Sequence, residues 1–441
     1  MKLEPLARFF AVCFLFALPA SAGPGEVADR YWPQWRGPRA NGVSPLGTPP
    51  LQWSENKNVR WKLRLPGIGH STPIIWGDRV FLTTAVPYGD PVAAVPENAP
   101  GAHDNRLSTR NHKFVVLAVG RVDGQMIWQR TVRKELPHEG GHFTGSLASN
   151  SPVTDGEHLV AFFGSRGLYS FNLDGEPQWE KDLGRMQTLH AHGEGSSPVL
   201  SGEALIVNWD HQGQSFVFVF DKRTGAPLWK VARSEVTSWS TPLVIEHAGK
   251  RQVIVSATGR VRGYDLATGD VIWECGGLSR NVVASPVAAN GMVYVASSYD
   301  RQAMMAIRLE GARGDITGTD QVVWTHNRYT PYVPSPLVYG PTLYFLRHNQ
   351  GILSCLDTKT GQTQHGPFRL AGISHVFASP VGAANRVYLT DRNGTTLVVK
   401  HGDPHKLLAR NRLDDSFSAS PAIAGGELYL RGQNLYCIAE E

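Results

Sequence analysis

The histidines of this chain fall in short polar phrases, the densest of which is His190-Ala191-His192-Gly193-Glu194. On an extended segment, side chains two apart point the same way, so His190, His192 and Glu194 would form one row. Imidazole and carboxylate donors in a row can hold a metal ion. Imidazole also titrates near neutral pH, which suits acid–base work. Related phrases are Gly69-His70-Ser71, His138-Glu139-Gly140-Gly141-His142, Asn208-Trp209-Asp210-His211, Arg280-Asn281 and Arg347-His348-Asn349, with Trp239, Tyr332 and His375 nearby in the pattern. Three readings stay open for such short motifs. They are loop groups bonded to backbone or water, a mouth that binds an anion, sugar or peptide, and a metal or catalytic site. No Walker A loop, Gly-x-Ser-x-Gly elbow, His-Glu-x-x-His or Cys-x-x-Cys accompanies them.

The elements that must position these residues come from a repeat. A small or polar residue and a Ser or Thr, followed by Pro and an apolar residue, open eight similar units, at Thr72-Pro73, Ser151-Pro152, Ser197-Pro198, Thr241-Pro242, Ser285-Pro286, Ser335-Pro336, Ser379-Pro380 and Ser420-Pro421. Successive prolines are 79, 46, 44, 44, 50, 44 and 41 residues apart. Each phrase opens a short strand, a turn such as Asn290-Gly291, and a strand of alternating β-formers such as Met292-Val293-Tyr294-Val295-Ala296. A third strand ends near Asp, then a turn leads to a Trp, as in Asp221-Lys222-Arg223-Thr224-Gly225-Ala226-Pro227-Leu228-Trp229. Gly supplies the positive φ of a tight hairpin. Pro is tolerated near a strand start, where its missing N–H is harmless. A four-stranded unit of this length is one propeller blade.

The sequence therefore predicts an all-β fold, an eight-bladed β-propeller of four-stranded antiparallel blades spanning 53–441, after an N-terminal extension over 23–52. The eighth unit stops at Tyr436-Cys437-Ile438-Ala439 without its Trp strand. Val59-Arg60-Trp61-Lys62-Leu63 supplies that strand, so the N-terminal strand is expected to complete the last blade and close the ring, removing exposed edges. His365 stands where a Trp is expected after Thr360-Gly361. In a propeller the first strand of each blade lines the channel, so the segments before the Ser-Pro phrases should gather at one mouth. The expected mouth residues are His70, His142, Asp210, His211, Trp239, Asn281, Tyr332 and His375, with His190, His192 and Glu194 as the metal set. The inserted stretch 87–111 is expected to be a disordered surface loop, with a lid over the mouth as the sharper alternative.

Residues 1–22 read as a cleaved signal peptide. Lys2 and Arg8 precede an apolar core from Phe9 to Leu18, and Ala20-Ser21-Ala22 is a small-x-small cleavage site. Cys13 lies inside that core, so a soluble periplasmic or secreted protein is expected, with no membrane-spanning segment in the mature chain. The net charge of +5 is mild, and no Lys/Arg run gives the concentrated basic face that nucleic-acid binding needs. Cys275, Cys355 and Cys437 are expected to be buried free thiols, because the latter two hold matching places in different blades.

These Asp-x-x-Thr-Gly-x-x-x-Trp units with Ser-Pro openings resemble the PQQ-type (pyrroloquinoline quinone) propeller repeat, from about Trp53 to Glu441. The opening Trp32-Pro33-Gln34-Trp35-Arg36-Gly37-Pro38 is similar to the start of exported PQQ-repeat proteins. The resemblance implies one of two functions. Quinoprotein dehydrogenases bind PQQ with calcium under an adjacent-cysteine disulfide, and this chain has no Cys-Cys pair. BamB-like proteins are scaffolds of outer-membrane protein assembly with no cofactor, and the chain is similar to them in length. The resemblance thus favours a monomeric binding propeller that engages protein or glycan partners through its face loops, with a PQQ- and calcium-dependent oxidoreductase as the alternative.

Overall fold

The computed structural model describes residues 24–95 and 99–440; the expected signal peptide lies outside them. Eight sheets follow one another around a ring, seven of four strands and one of five. The first blade runs through Ile74–Trp76, Arg79–Tyr88, Asn111–Gly120 and Met126–Glu135, all paired antiparallel. The remaining blades start at Val153, Val199, Leu243, Val287, Leu337, Val381 and Ala422. The short first strand of each blade is the inner one, and inner strands contact those of neighbouring blades. The fifth strand, Gly314–Asp315, comes from the fifth blade's outer hairpin and lies parallel to Val271–Cys275 of the fourth. Among the described residues no helix is long and apolar enough to cross a membrane.

The Ser/Thr of the repeated phrase explains itself in the structure. The Thr72 amide donates to Ser151 Oγ at 2.9 Å, Ser151 to Ser197 Oγ at 3.0 Å, and Ser197 to Thr241 Oγ1 at 3.0 Å. The chain continues from Thr241 to Ser285, Ser335, Ser379 and Ser420, with every step at 2.9 or 3.0 Å. A hydroxyl from each of the second to eighth blades thus satisfies the buried amide of the blade before it. These residues are buried, so the amides have no water to replace the bond. The Pro that follows fixes φ and removes a donor that would otherwise need its own partner.

The outer part of the ring is held by the Trp and Gly of the repeat. Trp61, Trp128, Trp179 and Trp229 each donate Nε1 to a carbonyl in the hairpin of the next blade, at 2.8–2.9 Å. The glycine of that hairpin lies flat on the indole. A Cβ on Gly225 would come 2.8 Å from Trp179, and its φ of +66° already favours glycine. At the degenerate sixth blade His365 does the work of the missing Trp, its Nε2 lying 3.1 Å from Gly402 O of the seventh blade.

Closure follows the expected route. Val59–Arg64 pairs antiparallel with Asn434–Ile438 and completes the eighth blade. At this seam Thr72 Oγ1 is buried without a partner, and Arg431 takes over. Its guanidinium binds Ser71 Oγ, Ser71 O at 3.0 Å and Thr83 O at 2.6 Å, joining the last blade to the first. Glu427 adds a second staple by accepting from Arg60 and, at 2.6 Å, from Arg121. Cys275, Cys355 and Cys437 are buried and free.

The N-terminal extension crosses one end of the channel. Trp32 exchanges backbone bonds with Ile75 of the first blade. Arg36 reaches Pro380 O at 2.8 Å and Pro336 O at 2.7 Å, in the seventh and sixth blades. Ser44 and Thr48 bond Gly382 and Gly425 of the last two. Trp32 and Arg36 are buried, and desolvation lowers the Arg36 pKa to about 9, so it remains a cation at neutral pH. The channel is therefore stopped at this end.

The hydroxyl chain gives a direct test. Ser285→Ala strands the buried Thr241 amide and is expected to destabilise the ring by about 1–3 kcal/mol. Thr72→Val removes a hydroxyl that bonds nothing and is expected to change stability by less than about 0.5 kcal/mol. Urea midpoints of the two variants, compared at equal m-value, check both.

Candidate functional site

At the end opposite the plug, the channel opens into a cavity of about 670 Å³. Trp35 and the hydroxyl residues Ser197, Thr241, Ser285, Ser379 and Ser420 form its depths. Phe143, Trp239, Tyr299, Tyr332 and Phe377 supply aromatic wall. Toward the rim stand His70, His103, His142, His192, His348 and His375, with Arg392 and the carboxylates Asp104 and Glu194.

Of the residues expected at the mouth, His70, His142, Trp239, Tyr332 and His375 line this cavity. Asp210, His211 and Asn281 do not, and the structure corrects that placement. Asp210 is buried and paired with Arg233, at 2.8 Å, with Ser238 Oγ as a further donor. His211 is held by Gln214 O and by the amides of Gln187 and Gly213. Asn281 is fully buried, with φ +56°. Asp210 and His211 are thus supports behind the wall.

The row of His190, His192 and Glu194 is also corrected, because the segment is not a strand. Leu189–Ala191 is a 3-10 turn in which His190 has φ +59°. Glu194 turns inward, accepting from the Ser165 amide at 2.8 Å and Ser165 Oγ at 2.5 Å, with Arg166 Nη1 at 3.1 Å. Both members of that ion pair are almost completely buried. Glu194 is thereby committed to the second blade.

Over its described residues the inserted stretch folds across the rim, with Asn105–Arg106 pairing against Gly141–His142. The Phe143 amide donates to Asp104 O at 2.8 Å, and Asn105 Nδ2 to His190 O at 2.8 Å. This brings in His103, which sequence reasoning missed because the insertion has no counterpart in other repeats. The His103 ring centroid lies 4.7 Å from that of His190 and 5.0 Å from that of His192; His190 and His192 are 5.2 Å apart. His142 lies 4.7 Å from His192. Among the described residues no three such donors already converge on one point as a metal would require. Arg392 was also missed, although Asp391-Arg392-Asn393 repeats the strand-end position of Arg347-His348-Asn349.

The electrostatics follow from burial. Desolvation, then the cations Arg431 and Arg392, lower the pKa of His70 from 6.5 to about 3. Desolvation, then His142, lowers that of His192 to about 4. Both rings are neutral at pH 7. Arg392 stacks on Phe377, and its pKa is lowered by desolvation and by the like charge of Arg106.

Calcium, the ion a quinoprotein would use, needs six to eight oxygen ligands. The carboxylates at this mouth are Asp104 and Glu194, the latter committed to Arg166, and the remaining oxygen donors are uncharged hydroxyls and Asn349, interspersed with imidazoles. The residues present do not fit calcium.

Comparison with known proteins agrees with this architecture. A family model described as outer membrane protein assembly factor BamB matches residues 112–366 and 213–441. A protein of that name from Yersinia pestis is 25% identical over 311 residues, covering 67% of this chain and 69% of its own. The crystal structure of BamB from Moraxella catarrhalis covers 81% of this chain and 97% of its own, at 14% identity and a TM-score of 0.50. A europium-containing methanol dehydrogenase covers 91% and 89%, at 9% identity and a TM-score of 0.59. At these identities the solved structures share the fold.

Two outcomes are expected. Glu194→Ala leaves the buried Arg166 with only the longer 3.8 Å contact to Glu135 and should cost about 3–5 kcal/mol of stability, measured by denaturant unfolding. A change near zero would return Glu194 to the list of free ligands. Because the folded-state pKa values of His70 and His192 are depressed, the unfolded chain binds protons that the folded chain refuses, from about pH 6.5 down to about 4 for His192 and about 3 for His70. Stability should fall as pH drops through that window. His70→Gln should flatten the decline in melting temperature.

Proposed function

The chain belongs to the family described as outer membrane protein assembly factor BamB, and on that premise we propose that it is a binding propeller of the cell envelope that docks a protein segment in its channel mouth. The observation that carries this reading is the shape and lining of the cavity. It is open at one end, stopped by Trp35 and Arg36 at the other, and walled by Phe143, Trp239, Tyr299, Tyr332 and Phe377. Aromatic walls bind extended segments because each ring buries a large area at little entropy cost and still offers a polar edge. Tyr299 is 39% exposed, more than a large aromatic needs to be if it only supports the fold. Trp239 is fixed in place, its Nε1 donating to Gly193 O at 2.7 Å, so that part of the wall is preorganised.

A protein segment is favoured over a glycan by the family's name, that of an assembly factor acting on proteins. Likeness to the methanol dehydrogenase supports a shared ring, and the imidazole-rich donor set weighs against the calcium-dependent oxidoreductase.

A photoreactive residue in place of Tyr299 should cross-link one envelope protein, while the same residue in place of Leu228, on an outer strand, should not. With the captured partner purified, Tyr299→Ala should weaken binding about 30-fold, the effect of losing an aromatic anchor. Equal cross-linking from both positions would overturn the reading.

A further inference from the structure

Three imidazoles from two separate parts of the chain meet at the rim. His103 comes from the insertion, His190 and His192 from the connection between the second and third blades. Their three centroid separations are 4.7, 5.0 and 5.2 Å. A metal–nitrogen bond of about 2.1 Å puts an imidazole centroid about 3.2 Å from the ion, so two ligand rings at 90–109° sit about 4.5–5.2 Å apart. All three separations fall in that interval.

The outward nitrogens are arranged as metal ligands usually are. His103 Nδ1 lies 2.6 Å and His190 Nδ1 3.0 Å from Gly101 O, and His192 Nε2 lies 3.2 Å from His103 O. A ring nitrogen facing a carbonyl must carry the proton, which leaves the lone pair on the other nitrogen. His103 Nε2, His190 Nε2 and His192 Nδ1 therefore carry lone pairs and have no hydrogen bond to a described residue. His142, 4.7 Å from His192, stands beside the three as a source of a fourth donor. Bringing the free nitrogens to one point takes rotation about the Cβ–Cγ bonds, a broad and soft torsion, and exchanges part of the contact with Gly101 O for the bond to the ion.

We propose that His103, His190 and His192 form a site for a divalent transition-metal ion of the zinc type. A set of imidazoles suits zinc, copper or nickel and not calcium or magnesium. The ion would clasp the insertion to the rim and fix one side of the mouth. This goes beyond partner docking and stands without it, since the ion is bound by the chain alone.

The test is calorimetric titration of the full chain with Zn(II), followed by visible absorption with Co(II). The expected result is one saturable equivalent, with the d–d bands of a low-symmetry nitrogen site. His103→Ala and His192→Ala should each weaken Zn(II) binding at least about 10-fold, while His247→Ala, on the distant fourth blade, should leave it unchanged. Circular dichroism of each variant separates lost binding from lost folding. Absence of saturable binding by either ion, or equal affinity in folded His103→Ala, would overturn the proposal. Neither result bears on cross-linking at Tyr299.

Discussion

The ring depends on one repeated hydrogen bond. Where eight inner strands converge on a channel, each strand start carries an amide that no strand partner can satisfy. The hydroxyl of the next blade satisfies it, seven times in succession from Thr72 to Ser420. A buried amide left unpaired costs more than the bond itself returns, so the requirement acts as a constraint on every blade. It explains why the phrase preserves Ser or Thr while its neighbours vary. The outer Trp and Gly contacts set the packing between blades, and the hydroxyls fix their distance from the axis.

A ring closed in this way has a weak place where its ends meet. The eighth hydroxyl link is missing, and two charged devices replace it. Arg431 bonds two backbone carbonyls and a hydroxyl across the seam, and Glu427 joins Arg60 and Arg121. The N-terminal extension then spans the ring from the first blade to the last and stops one end of the channel. What remains is a one-ended cup. Its closed end is held by buried Arg36 and by backbone bonds from Trp32, Ser44 and Thr48, and its open end is built from loops rich in imidazole and aromatic side chains. Binding chemistry is left to the open end.

The fold was legible in the sequence because the repeat spells each blade, and because Val59–Leu63 visibly supplies what the eighth unit lacks. The mouth was partly legible. His70, His142, Trp239, Tyr332 and His375 were found from their place before the Ser-Pro phrase. Asp210 and His211 were misplaced because the same strand-end position faces the cavity in one blade and a buried Arg233 in another. The row through His190, His192 and Glu194 assumed a period of two, which fails when the segment turns at His190. Glu194 was claimed by Arg166, about thirty residues earlier in sequence, and no local pattern announces that pair. His103 lay in an insertion, where the repeat gives no register to reason from.

Native-state hydrogen exchange tests the central claim, a ring held by its hydroxyl belt beneath a more loosely held mouth, most directly. The amides of Thr72, Ser151, Ser197, Thr241, Ser285, Ser335 and Ser379 are expected to exchange last and together, with the free energy of global unfolding. Amides of residues 99–110 and 187–195 should exchange through smaller local openings. If the belt amides near the first and eighth blades exchanged well before the others, the seam would be opening on its own, and the account of a continuous ring closed by Arg431 and Glu427 would be contradicted.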